Sequence, residues 1–207
     1  TIWGKEVGRL TWDSRRKRSI FEYAPSFLKG ELDIAPLTAS IYDRKSRLPF
    51  YGEANNGIYF GLPAFISDSL PGKWGDTVFS AWASINNLDE NRLTAVDKLS
   101  FIGKRGMGAL EFEPCQELGS GDMSLELDQL YRKAQEILEQ REETVITGKD
   151  ITLESLYEVG TSAGGQHTKA VIARNNNTGE IRSGQILLSS DYTYYLLKFA
   201  EKDYYPL

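Results

Sequence analysis

Val159-Gly160-Thr161-Ser162-Ala163-Gly164-Gly165-Gln166-His167-Thr168-Lys169-Ala170-Val171-Ile172 is the stretch on which the reading of this chain turns. Three glycines and the hydroxyls of Thr161 and Ser162 precede a lysine and a β-branched run. A residue without Cβ reaches the positive φ at which successive main-chain amides converge on an anion, so a phosphate is the natural guest of such a loop. The Walker pattern is not met, because Gly165 is followed by Gln166 and the loop leads into a strand rather than a helix. A glycine loop running into an antiparallel strand is how protein kinases cover ATP, although their G-x-G-x-x-G spacing is also not matched. The same residues make an ordinary hairpin turn, and composition leaves both readings open.

Downstream, Asn175 to Gly179 is a polar turn, and Tyr192 to Phe199 reads as a second extended run. Alternation puts Tyr194, Leu196 and Lys198 on one face of it, so Lys198 is expected among aromatic and aliphatic neighbours. Two outcomes fit: a lysine on the strand beside the glycine loop, paired with nucleotide phosphates, or an edge lysine whose stem packs while its charge reaches water. Upstream, Leu127, Leu130, Tyr131, Ala134, Ile137 and Leu138 recur at helical spacing and predict a long amphipathic helix that ends before Gly148, followed by a helical turn around Leu153 to Tyr157. Gly119 to Gly121 are a plausible linker, with a subdomain boundary near 115 to 123.

The first half reads as turn-rich and antiparallel. Val7 to Trp12 and Ile20 to Tyr23 alternate about a polar Asp13 to Arg18 turn and predict a hairpin. Extended pieces are expected at Ile34 to Ile41 and Gly57 to Phe60. A helix is expected after Gly75, with Asp76 as N-cap and Val78, Phe79, Trp82 and Ile85 on one face; a second helix is expected over Asp89 to Leu99, and a strand at Ala109 to Glu113. The fold class is therefore α+β: a small antiparallel β-rich N-terminal subdomain with helices over 1–118, then an antiparallel-sheet lobe over 119–207.

The totals exclude several classes. The 207 residues carry a net charge of −5, which argues against a surface that attracts a phosphate backbone directly. Cys115 is the single cysteine, so no internal disulfide can form and a reducing compartment fits. No apolar run is long enough to cross a membrane, and the first residues lack a signal-peptide pattern, so a soluble cytoplasmic protein is expected. His167, the sole histidine, reads as a solvent-facing loop residue rather than a metal ligand. Arg15-Arg16-Lys17-Arg18 reads as a solvated hairpin tip, and Trp74 and Trp82 as core aromatics. Asp-Tyr-Tyr-Pro-Leu at the end directly follows a strand-like run, and the 207 residues are taken as a fragment of a longer chain.

Four motifs carry a family resemblance. Phe60-Gly61-Leu62-Pro63 with Asp68-Ser69-Leu70-Pro71-Gly72-Lys73-Trp74-Gly75-Asp76 resembles the "F-x-GLLP … D-x-LP-x-G-W-G" signature of the HipA N-terminal region. Gly106-Met107-Gly108-Ala109-Leu110-Glu111-Phe112 is similar to that family's "R-x-GAL-x-F" strand. Gly160 to Ala170 looks like its "G-x-SAGG-x-x-x-KA" loop, and Tyr195-Leu196-Leu197-Lys198-Phe199 resembles its "W-x-LKF" strand. The resemblance implies a bacterial toxin serine/threonine kinase of a toxin–antitoxin system, associated with persistence, with a kinase-like lobe and with ATP and Mg²⁺ as cofactors of the full-length protein. Carried onto this chain, Ala163, Gly164, Gly165 and Gln166 would contact nucleotide phosphates and Lys198 would pair with them. Lys169 would point at phosphate or simply begin the strand. Thr161 or Ser162 would be the autophosphorylated hydroxyl whose modification expels the loop.

The partners implied are a HipB-like helix-turn-helix antitoxin, DNA reached only through it, and a protein substrate such as an aminoacyl-tRNA synthetase. The alternative is a non-catalytic interaction or regulatory module that binds such an antitoxin. Only nine residues follow Lys198, and the sequence contains neither His-Arg-Asp nor Asp-Phe-Gly. The catalytic Asp and Asn and the metal-binding Asp are thus absent, and this stretch alone is expected to be inactive as a kinase.

Overall fold

The computed structural model describes residues 1–54, 57–116, 125, 127–139, 151–160 and 167–199. They form two compact units. The first comprises Thr1–Leu70, Leu93–Lys104 and Gly108–Cys115, and the second Pro71–Arg92, Arg105–Met107 and the residues from Gln116 onward.

The first unit is built on an antiparallel hairpin of β1 (Gly8–Asp13) and β2 (Arg18–Tyr23), in register from Gly8↔Tyr23 to Asp13↔Arg18. Asp13 closes the turn by accepting from the backbone N–H groups of Arg15 and Arg16, each at 3.1 Å. Arg15, Arg16 and Lys17 are exposed, as expected of a hairpin tip, whereas the Arg18 guanidinium folds over the Tyr51 ring, 4.6 Å from its centroid. Alternation along β2 buries Ser19, Phe21 and Tyr23. Their aromatic rings meet Phe27, Phe50 and Phe65, with Phe21 edge-on to Tyr23 at 5.0 Å. Leu62, Ile66, Leu99 and Ile102 complete this core.

Three extended segments expected from the sequence are absent. Ile34 to Ile41 is a run of turns, because Asp33 accepts from the Ala35 N–H at 3.3 Å and the Ser40 hydroxyl at 2.5 Å, while the Ala39 N–H turns back to the Ala35 carbonyl. These local bonds compete successfully with a sheet ladder. Gly57 to Phe60 is likewise a turn, and the third strand is instead β3 (Phe50–Tyr51), paired with Phe21 and Ile20. Ala109 to Glu113 makes isolated backbone bonds, Glu111 N–H to Thr1 and Phe112 N–H to Gly103, rather than a strand.

The helix boundaries also differ from the expectation. α1 is the single turn Ala64–Ser67. α3 covers Ala95–Ile102, later than expected, because Thr94 and Asp97 form a reciprocal capping box that sets its start. Glu90–Arg92 before it is a separate 3-10 turn.

In the second unit α2 spans Lys73–Ile85 with Gly72 as its N-cap, four residues before the expected cap Asp76, which instead lies in the first turn. A carboxylate there still favours the positive end of the helix dipole. α4 (Leu127–Glu139) buries Leu130, Ala134 and Ile137 as the spacing predicted, and α5 (Ile151–Gly160) is a full helix where only a turn was expected. Trp82 of α2 stacks on Tyr157 of α5 with ring centroids 4.5 Å apart, so both tryptophans singled out in the sequence are core residues.

α5 leads into a three-stranded antiparallel sheet of order β5-β4-β6, made of β4 (Lys169–Asn175), β5 (Ile181–Ser183) and β6 (Tyr192–Lys198). The short β5 was not anticipated; only Ile181 gives it an apolar side chain. No helix among the described residues is long and apolar enough to cross a membrane.

Candidate functional site

The register of the second sheet is set at its turn. The Asn175 side-chain oxygen accepts from the N–H groups of Asn177 at 2.9 Å and Thr178 at 3.0 Å, an Asx-type arrangement that fixes where β4 stops. At the same end of the sheet, Tyr192 donates its hydroxyl to Glu180 at 2.7 Å, and Arg182 donates to the other oxygen of the same carboxylate at 3.0 Å. The Tyr192 hydroxyl, then the Arg182 guanidinium, hold the Glu180 carboxyl below its usual range. From Asn175↔Tyr192 the β4–β6 ladder runs without a bulge to Lys169↔Lys198.

That last pair is the chemical feature of the sheet. Directly opposed residues of an antiparallel pair share a face, with Cα atoms roughly 4.5–5.5 Å apart. Lys169 and Lys198 therefore project from the same side. Their environments differ, since Lys169 is 3% exposed while Lys198 is exposed. Of the two outcomes the sequence left open for Lys198, its exposure matches the edge lysine whose charge reaches water. The reason is sheet order: among the described residues β4 is central, whereas β6 lies at the edge, where Tyr194, Tyr195 and Leu196 are each 45–47% exposed.

The ladder continues one residue beyond the lysines, with Phe199 N–H donating to the Thr168 carbonyl at 3.0 Å. Phe199 meets Tyr131 of α4 at 6.0 Å, on the face opposite Lys198. His167 is exposed, as expected. On the other side of Lys169, its carbonyl accepts from the Trp74 indole N–H at 2.9 Å, and Gly160, the last residue of α5, lies against both groups. Sequence reasoning placed Trp74 in a core and missed this bond. The one signal available was chemical: a buried indole N–H needs an acceptor.

Of the residues proposed from the sequence, Lys169 and Lys198 are thus brought face to face. Thr161, Ser162, Ala163, Gly164, Gly165 and Gln166 lie outside the described residues. Nearby in the same unit, the Arg105 guanidinium sits 4.8 Å from the Tyr157 ring centroid, and its Nη2 lies 3.3 Å from the hydroxyl. Burial pushes the Tyr157 hydroxyl up, and the Arg105 charge opposes that shift.

A hairpin-based unit and a unit whose helix-backed antiparallel sheet opposes two lysines across one ladder define an α+β protein. The HipA N-terminal domain matches residues 1–113, more than half of the 207 residues, and the chain belongs to that family; it is a HipA-like protein. The motifs at Phe60 to Pro63, Asp68 to Asp76 and Gly106 to Phe112 fall inside the matched stretch, whereas the glycine loop and Lys198 fall beyond it. Comparison with curated proteins and with solved structures gave no match.

Proposed function

We propose that the chain is part of a HipA-like toxin serine/threonine kinase of a toxin–antitoxin system, and that its second unit binds the phosphates of ATP. The reading is carried by the Lys169↔Lys198 pairing: two ammonium groups on one face of a sheet, where β4 emerges from the glycine-rich loop. Like charges directly opposed in a ladder destabilise it. A polyanion held between them would reverse the sign of that term, and main-chain amides at Ala163 to Gln166 would add neutral donors.

The residues fit the nucleotide better than its metal. Mg²⁺ takes oxygen ligands in octahedral geometry, and no group of three or more His, Cys, Asp or Glu side chains among the described residues is placed to hold a metal ion. When bound with the nucleotide, Mg²⁺ would neutralise phosphate charge, and carboxylates beyond the described residues would hold it. Within the chain, Lys169 and Lys198 bind and orient. A phosphate added at Thr161 or Ser162 would compete with the nucleotide for the same amides and repel it, which makes the loop a switch. A helix-turn-helix antitoxin of the HipB kind is the proposed partner, with DNA contacted only through it, and an aminoacyl-tRNA synthetase is the kind of protein substrate implied.

Isothermal titration with ATP and Mg²⁺ tests this, on the 207-residue chain and on the full product of its gene. Removing one charge-assisted contact costs about 1.5–3 kcal/mol, so Lys198→Ala should weaken binding by about 10- to 150-fold. Absence of ATP binding in the full gene product would overturn the kinase reading and leave the interaction module.

A further inference from the structure

Trp74 makes a contact that core packing does not require. It lies in the first turn of α2, is 1% exposed, and donates its indole N–H to the carbonyl of Lys169 at 2.9 Å. Along β4 successive carbonyls point to opposite edges. The Thr168 carbonyl points toward β6, where it accepts from Phe199, and the Val171 carbonyl points the other way, where it accepts from Gly184 at 3.0 Å. The Lys169 carbonyl shares the direction of Val171, but β5 pairs only with Ile172, Ala173 and Arg174 and has ended by that level. The indole therefore supplies the rung that the short neighbouring strand leaves out.

Gly160 completes the arrangement. A Cβ added there would stand 3.4 Å from the Trp74 Nε1 and 3.4 Å from the Lys169 carbonyl oxygen. The end of α5, the start of α2 and the start of β4 thus meet at one indole nitrogen. Gly160 and Lys169, which flank residues 161–168 in the sequence, are both held at this point.

We infer that Trp74 is a positioning residue for the anion site: its indole N–H fixes the Lys169 peptide, and with it the opposition of Lys169 and Lys198, and holds together the two ends of the glycine-rich stretch. The inference deepens the nucleotide reading and rests on it for its functional consequence. Its structural content stands apart from that reading.

Hydrogen–deuterium exchange and ATP–Mg²⁺ titration on the full chain separate the two. Trp74→Phe keeps an aromatic ring and removes the donor. Trp82→Phe, in the same helix and packed on Tyr157 and Phe79, is the matched control for a general loosening of α2. Trp74→Phe should speed exchange in peptides spanning 160–170 by about tenfold and weaken ATP binding by about tenfold, the scale of one buried hydrogen bond. Trp82→Phe should leave both close to wild type.

Should Trp74→Phe fail to fold, Gly160→Val decides, because it wedges the same junction with the indole intact and should produce the same local acceleration. Unchanged exchange over 160–170 in the folded variant overturns the inference, as does equal acceleration in Trp82→Phe. If the wild-type protein binds no ATP, the nucleotide reading falls, and the exchange data alone decide whether Trp74 holds the junction.

Discussion

Gly52→Ala is the sharpest test of the first unit. A Cβ on Gly52 would stand 1.8 Å from the Gly61 carbonyl oxygen, 2.4 Å from its carbon and 2.9 Å from the Leu62 nitrogen. All three are backbone atoms, and a carbon normally approaches a carbonyl oxygen no closer than about 3.3 Å, so one segment must retreat by about 1.5 Å. The Gly61 carbonyl cannot do so freely, because it accepts from the Ser19 N–H at 2.7 Å and the Ser19 hydroxyl at 3.0 Å. Gly52 cannot either, since its own N–H donates to the Ser19 carbonyl at 2.9 Å. Relief breaks up to three hydrogen bonds around a fully buried Ser19. At about 1 kcal/mol each, more where a buried group is left without a partner, the cost is about 3–5 kcal/mol, a large share of the roughly 5–15 kcal/mol that holds a protein folded. Thermal unfolding followed by circular dichroism should show Tm lowered by about 10 °C. Gly57→Ala, where an added Cβ meets nothing within 4 Å, is the control and should stay within about 0.5 kcal/mol of wild type. A Gly52→Ala protein as stable as that control would refute the close approach of the two backbones.

Tyr23 gives a pH test: it donates to the Ala39 carbonyl at 2.8 Å, and burial, reinforced by the Asp33 charge, pushes its hydroxyl from 10.0 up to about 12. The folded state then keeps a proton that the unfolded chain releases, so this stabilisation is complete below pH 10 and is lost as pH rises toward 12; denaturant unfolding should show wild type losing about 2–3 kcal/mol over that window relative to Tyr23→Phe, and parallel curves would contradict the burial. Thr94→Ala removes one half of the capping box at α3 and should cost about 1 kcal/mol in the same assay, with Thr94→Ser restoring most of it.

Elements with a strong period were legible in the sequence, and those decided by local bonds were not. The β1–β2 hairpin, α4 and the β4–β6 pair each carry an apolar repeat, and each lies close to where the repeat put it. Ile34 to Ile41 has the composition of a strand, yet the side chain of Asp33 draws it into turns. The Thr94 and Asp97 capping box was present as residues, but a helix read from its apolar positions alone began too early. At the candidate site, alternation within β6 correctly assigned Lys198 to a face but could not reveal that, among the described residues, β6 is an edge and β4 the centre. Burial of Lys169 rather than Lys198 follows from strand order, which no single strand encodes.

The same limit explains why Trp74 was read only as a core residue. The signature Asp68 to Asp76 is contiguous in sequence, yet Leu70 is the last residue of the first unit's opening segment and Pro71 begins the second. Residues 71–92, inside the stretch that matches the HipA N-terminal domain, therefore belong structurally with the β4–β6 sheet rather than with the hairpin. Pro71 and Gly72 stop one segment and start α2, and the tryptophan two residues after Gly72 delivers its N–H to the strand that carries Lys169. A signature that looks like a local turn thus makes a long-range contact, a hydrogen bond to a strand residue 95 positions away along the chain. A substitution there that keeps α2 folded but removes the indole N–H should act on the proposed anion site without touching either lysine.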